Sequence, residues 1–194
     1  MKAVIRMLVA GMLVAVLPFA AAGAEVDREG LVVAGTPYEW DGAATTGTAF
    51  ENMIGEVAVE DVVVSDGLQC SKNPDAYCET TLVGFDLTLT EDEIAAGKTR
   101  KTVTGEIAIG TPTVPLYDYD LKIYESDAAG TKGAEVASVG DLDETPGEET
   151  ATVSGIRGTI EQPIKHYLVE VIYFFSVQGS YSGVARMLGT PRAS

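Results

Sequence analysis

Tyr117-Asp118-Tyr119-Asp120-Leu121-Lys122-Ile123-Tyr124 alternates with the two-residue period of a β-strand. Tyr119, Leu121 and Ile123 share one face, which reads as the core face. Asp118, Asp120 and Lys122 take the other, together with Tyr124. The polar run Glu125-Ser126-Asp127-Ala128-Ala129-Gly130 then turns the chain. A second stretch, His166-Tyr167-Leu168-Val169-Glu170-Val171-Ile172-Tyr173-Phe174-Phe175, is apolar on both faces. Tyr167, Val169, Val171, Tyr173 and Phe175 line one side; Leu168, Ile172 and Phe174 surround Glu170 on the other. Such a strand is either central and covered twice or lies at a partner surface. Leu168, Ile172 and Phe174 are therefore the candidate partner surface.

Working outward from these strands gives more of the same. Within Thr80 to Thr90, Val83, Phe85, Leu87 and Leu89 form an inward set. Thr90-Glu91-Asp92-Glu93 has the form of a capping box, which predicts one helical turn stopped by Gly97. Lys98 to Ile109 returns to strand with Val103, Ile107 and Ile109 in phase. Short strands follow around Val136 and Val139 and from Glu149 to Ile156, where Arg157-Gly158 turns the chain. Tyr181, Gly183, Ala185 and Met187 make a last inward set. Tyr38-Glu39-Trp40 and the β-branched run Val57 to Val64 read as strands nearer the N-terminus. About eight to ten short strands and at most one helical turn predict an all-β antiparallel sandwich.

Residues 1–24 carry Lys2 and Arg6, an apolar run from Met7 to Phe19, and Ala22-Gly23-Ala24. That is the form of a signal peptide, and the apolar run is shorter than the roughly 20 residues needed to span a bilayer. A secreted or extracytoplasmic chain is expected to begin near Glu25. It would comprise a lead-in over 25–37, a single sandwich over 38–188 and a short tail over 189–194. The whole sequence has a formal charge of -16, and losing Lys2 and Arg6 leaves -18. A chain so acidic repels phosphate backbones, which excludes nucleic acid, and repels anionic membrane surfaces. Cys70 and Cys78 are the only cysteines. In an oxidising compartment they are expected to pair, closing a short loop that contributes about 2.5 kcal/mol.

Little in the sequence points to catalysis. His166 is the only histidine, and no Ser-centred Gly-x-Ser-x-Gly elbow accompanies it. Gly179-Ser180-Tyr181-Ser182-Gly183 places Tyr where the nucleophile would stand. A carboxylate-pair hydrolase needs two acids about 5–9 Å apart, a condition that 29 acidic residues satisfy without specificity. Calcium is the more serious candidate, because Asp118 and Asp120 share a strand face about 7 Å apart. Asp141, Asp143, Glu144, Glu148 and Glu149 supply more carboxylates. Trp40, Tyr38 and Tyr124 are the candidates for an exposed aromatic platform, although core packing is the favoured reading of the aromatics.

The second half of the chain resembles the bacterial pre-peptidase C-terminal domain family. Asp118-Tyr119-Asp120-Leu121-Lys122-Ile123-Tyr124 is similar to that family's Asp-x-Asp-Leu-x-Val-Tyr strand. His166-Tyr167-Leu168-Val169-Glu170-Val171 resembles its Gly-x-Tyr-x-Val-x-Val strand, and Gly179-Ser180-Tyr181 the Gly-x-Tyr that opens its last strand. The resemblance covers roughly residues 80 to 188. It implies a jelly-roll sandwich of the kind appended to secreted proteases and also found in stand-alone exported proteins. The related collagen-binding modules bind calcium and matrix proteins, which implies calcium at Asp118 and Asp120. The expectation is a secreted, non-catalytic binding module whose partner is a protein or polysaccharide of the envelope or extracellular matrix. The alternatives are a calcium-dependent carbohydrate- or matrix-binding domain and, last, a carboxylate-pair hydrolase.

Overall fold

The computed structural model of the chain describes residues 26–43, 78–110, 117–140, 148–176 and 180–194; for residues 43, 117, 118 and 173–176 it describes the backbone alone. The expected signal peptide, the Val57–Val64 run, Cys70 and the acidic residues 141–144 lie outside these segments. Nine strands are described: β1 (Arg28–Val32), β2 (Tyr38–Ala43), β3 (Cys78–Asp86), β4 (Arg100–Gly110), β5 (Tyr117–Ser126), β6 (Lys132–Val139), β7 (Glu148–Thr159), β8 (Ile164–Ser176) and β9 (Ser180–Ala193). One helix, α1 (Glu91–Ala95), lies between β3 and β4. Among the described residues no helix is long and apolar enough to cross a membrane.

The strands form two sheets, ordered β1-β3-β8-β5-β6 and β2-β9-β4-β7. Setting β1 aside, the other eight give two four-stranded layers, and only β5 and β6 are successive strands within one layer. Every other step from β2 to β9 crosses between layers. This interleaving is the jelly roll, so the architecture follows from strand order alone. The predicted alternation is obeyed. Val83, Phe85 and Leu87, then Val103, Ile107 and Ile109, then Tyr119, Leu121 and Ile123, and Tyr167, Val169 and Val171 all enter one core. The capping box also forms: Thr90 Oγ1 accepts from the Glu93 N–H at 3.3 Å, and Glu93 Oε2 accepts from the Thr90 N–H at 2.7 Å. Gly97 ends the turn with φ of 78°.

Three readings of the sequence need correction. The stretch 25–37 is more than a lead-in, because β1 runs parallel to β3 as the outermost strand of its sheet. The clip is local: the Thr80 N–H donates to Asp27 Oδ2 at 2.6 Å, and Arg28 Nη1 meets Glu79 Oε2 at 2.8 Å. The residues 189–194 are likewise no loose tail, since β9 stays paired with β4 as far as Ala193. Arg157-Gly158 does not turn the chain, because β7 continues to Thr159. There Val103 faces Ile156 and Gly105 faces Val153, so Ser154 and Gly155 together oppose Thr104. Gly155, at φ of 69°, forms a bulge that shifts the inward set from Ala151 and Val153 to Ile156 and Gly158. A break of phase in the sequence thus marks a bulge and not an end.

Small residues sit where rings need room. Trp40 lies directly opposite Gly183, and Gly42 directly opposite Tyr181. A Cβ at Gly183 would stand 2.0 Å from the Trp40 ring, and one at Gly42 would stand 1.9 Å from the Tyr181 ring. Each ring covers a glycine of the neighbouring strand, which packs the β2–β9 seam without a gap.

Candidate functional site

The outer face of the five-stranded sheet carries the residues picked out by the sequence, in three cross-strand rows. Leu82, Leu168 and Tyr124 form the first, Thr80, Glu170 and Lys122 the second, and Cys78, Ile172 and Asp120 the third. Leu168 and Ile172 are both 0% exposed. The candidate partner surface is therefore corrected: these two side chains are covered within the chain itself, as expected for a central strand. The Phe174 side chain lies outside the described residues. Trp40 and Tyr124 are buried too, so neither contributes to an exposed platform, while Tyr38 is partly exposed and stacks on Trp40 at 5.4 Å.

Glu170 is the residue that reading by periodicity left unexplained. It is 1% exposed, in the middle of the central strand. A carboxylate taken so far from water demands a cation, and Lys132 Nζ on β6 lies 2.7 Å from its Oε1. The same ammonium stands 3.8 Å from the centroid of the Tyr124 ring. Burial raises the Tyr124 hydroxyl above its ordinary value, and the neighbouring Glu170 and Glu135 raise it further. A lone acidic residue inside an apolar strand was the available signal for this cluster. Its partner, 38 positions away, was not.

Glu79 ties three strands together. Its Oε2 accepts from Tyr181 Oη at 2.8 Å and from Arg28 Nη1 at 2.8 Å, which links β3 to β9 of the other layer and to β1. Tyr181 is raised above the ordinary tyrosine value, first by burial and then by Glu79. Burial also pushes Tyr167 up to about 12, with Glu125 adding to the effect. Tyr124, Tyr167 and Tyr181 thus hold their protons more tightly folded than unfolded. Their contribution to stability is complete below pH 10 and is lost as pH rises from there through the folded values. The melting temperature is expected to fall steadily above pH 10. Burial raises Tyr38 as well, so native phenolate absorbance should lag behind that of the denatured chain by at least four tyrosines until the fold opens. Titration of all eight tyrosines at one ordinary value in the native protein would contradict this.

The other sequence candidates fall as follows. Asp118 and Asp120 are both on β5. The Asp120 carboxylate fills the space that a side chain on Gly140 would need, at 2.1 Å from the Cβ position, while the Asp118 side chain lies outside the described residues. No group of three metal-ligating residues comes together among the described residues. Cys78 opens β3, and no free cysteine is found among the described residues. His166 is partly exposed, between Gly84 and Ser126.

A cleft of about 660 Å³ opens where β7, at the rim of one layer, faces the β5, β6 and β8 side of the other. Glu125, Arg157, Thr159, Gln162, Lys165 and Tyr167 contribute to its lining. Lys165 Nζ lies 3.2 Å from Glu125 Oε1 and 5.7 Å from the Tyr167 ring centroid. These side chains come from three strands and a turn, and no spacing in the sequence announces them.

No protein-family model matches the chain, and no curated protein matches it. Among solved structures it is similar to the pre-peptidase C-terminal domain of a collagenase from Bacillus anthracis, at 8% identity, over 81% of this chain and 94% of that one, with a TM-score of 0.35. It is similar to the empty top component of cowpea mosaic virus at 12% identity, over 62% and 80%, with a TM-score of 0.34. Broad bean stain virus gives 9% identity, 61% and 81% coverage and a TM-score of 0.32. Likenesses this distant transfer neither ligand nor activity, and the jelly roll stands on its own strand order.

Proposed function

We propose that this chain is an exported, non-catalytic binding module of the cell envelope or extracellular space, and that its partner is a protein or polysaccharide met at the β6–β7 cleft. The composition of that cleft carries the reading. Among the described residues that line it, Glu125 is the only carboxylate, and Lys165 already holds it. Carboxylate-pair hydrolysis needs a second acid across the gap. Tyr167, the lining group displaced from its ordinary value, moves away from neutrality and remains a hydrogen-bond donor. A ring, an amide, a hydroxyl and two cations suit recognition of a polar ligand better than proton transfer.

Export is supported by the form of residues 1–24 and by the acidity of the remainder. The Cys70–Cys78 bond belongs to the same reading, as does calcium at Asp118 and Asp120. The test is recovery of the protein from outside the cell, beginning near Glu25, with no thiol alkylated before reduction. Co-sedimentation with isolated envelope polysaccharide should follow, weakened by Gln162→Ala and Lys165→Ala. An uncleaved, cytosolic chain with two reactive thiols would overturn export. Sedimentation indifferent to both cleft variants would overturn the cleft. Identical melting in calcium and in chelator would remove calcium from the reading.

A further inference from the structure

Ten of the lysines and arginines lie in the described residues, and five of them hold carboxylates: Arg28, Lys101, Lys132, Lys165 and Arg186. Of the other five, three converge on the outer face of the four-stranded sheet. Arg157 on β7 stands opposite Thr102 on β4, and Thr102 stands opposite Arg192 on β9. Residues directly opposite in an antiparallel pair share a face, so both arginines flank the Thr102 hydroxyl, their Cα atoms about 10 Å apart across two strand spacings. Arg100 lies two residues along the same face of β4, about 7 Å away. Arg100, Arg157 and Arg192 are all exposed, and none is in an ion pair among the described residues.

Beside this row the sheet is deliberately irregular. β7 bulges at Ser154-Gly155 opposite Thr104. On the other flank of β4, Thr104 faces Leu188 and Thr102 faces Arg192, so β9 carries two extra residues. Gly155 and Gly189, at φ of 69° and 89°, make the two irregularities at the same level. A hollow of about 400 Å³ lies between them, lined by Thr102, Thr104, Gly155, Leu188, Thr190 and Arg192.

We propose that Arg100, Arg157 and Arg192 form an oxyanion-binding patch that takes an acidic polysaccharide. Guanidiniums outside any ion pair among the described residues, with hydroxyls between them, offer forked donors to carboxylate or sulfate groups. Arg100 Nε already donates to Ser194 Oγ at 3.0 Å, which leaves its Nη groups for the ligand. Arg157 lines the cleft as well, so the ligand reaches the patch from that side; the proposal rests on the binding-module reading and names its ligand class. Repulsion from the rest of this acidic chain fades within about 8 Å at physiological salt. Duplex nucleic acid, with one charge per ~1.7 Å, places more phosphates against the surrounding carboxylates than a glycan charged once per sugar or less.

Binding of the full mature protein to polygalacturonate (carboxylate), kappa-carrageenan (sulfate) and neutral dextran tests this. Affinity is expected for one or both acidic chains and not for dextran, and it should fall with salt. Arg157→Gln and Arg192→Gln should each weaken it about tenfold at unchanged melting temperature. Arg186→Gln changes the charge equally on the same sheet, but Arg186 Nε already donates to Glu106 Oε1 at 2.7 Å, so this variant should weaken binding less than twofold. Equal losses for Arg186→Gln and Arg192→Gln, or no affinity for either acidic chain, would overturn the patch. Envelope sedimentation that survives Arg192→Gln but not Gln162→Ala would overturn it while leaving the cleft reading intact.

Discussion

Replacing Lys132 by Met is expected to destabilise the fold by about 3 kcal/mol, because it leaves the Glu170 carboxylate buried without its cation. The methionine keeps most of the packing volume, so the loss measures charge more than shape. It also removes the cation from the Tyr124 ring, an additional ~1 kcal/mol. A second background identifies the cause. With Glu170→Gln no carboxylate is left to bury, so Lys132→Met should cost much less there than in the native chain, by denaturant unfolding at pH 7. A deficit of equal size in both backgrounds would place the loss in packing instead.

Trp40→Ala should cost about 3–4 kcal/mol, as expected for a large aromatic removed from a core. The ring is 6% exposed, stacks on Tyr38 and covers Gly183, which has no side chain to close the gap. Because Trp40 is the chain's only tryptophan, its own fluorescence cannot follow the variant, and circular dichroism in denaturant is the measurement. A loss under about 1 kcal/mol, together with weaker polysaccharide binding, would return Trp40 to the surface platform that its sequence neighbourhood allowed.

Most of the sandwich was legible because its strands obey one rule. Alternation over Val83–Leu87, Tyr119–Ile123 and Tyr167–Val171 assigns each residue to a face without knowledge of the neighbouring strand. The Thr90–Glu93 box was legible because both of its hydrogen bonds are local. What escaped depends on pairing. β1 carries too few apolar residues to declare itself, and only its register against β3 shows where it belongs. β7 was cut short at Arg157 because one extra residue at Gly155 reverses the phase that alternation relies on. The cover over Leu168 and Ile172 is a property of the tertiary fold. Arg100, Arg157 and Arg192 become neighbours through two registers that no sequence spacing encodes.

The crossing of strands between layers governs how quickly this chain can find its structure. Among the described strands only β5 and β6 can zip as a local hairpin, closed by the Asp127 carboxylate accepting from the Ala129 and Thr131 N–H groups at 2.9 Å each. Each other pairing must first close a long loop, so loss of chain entropy precedes the gain from contact. Such topologies fold in milliseconds to seconds, and the β5–β6 ribbon is the natural place for the search to begin. Changes to the Asp127 turn should accordingly slow folding, whereas changes to β1, whose partner β3 lies far along the chain, should mainly hasten unfolding.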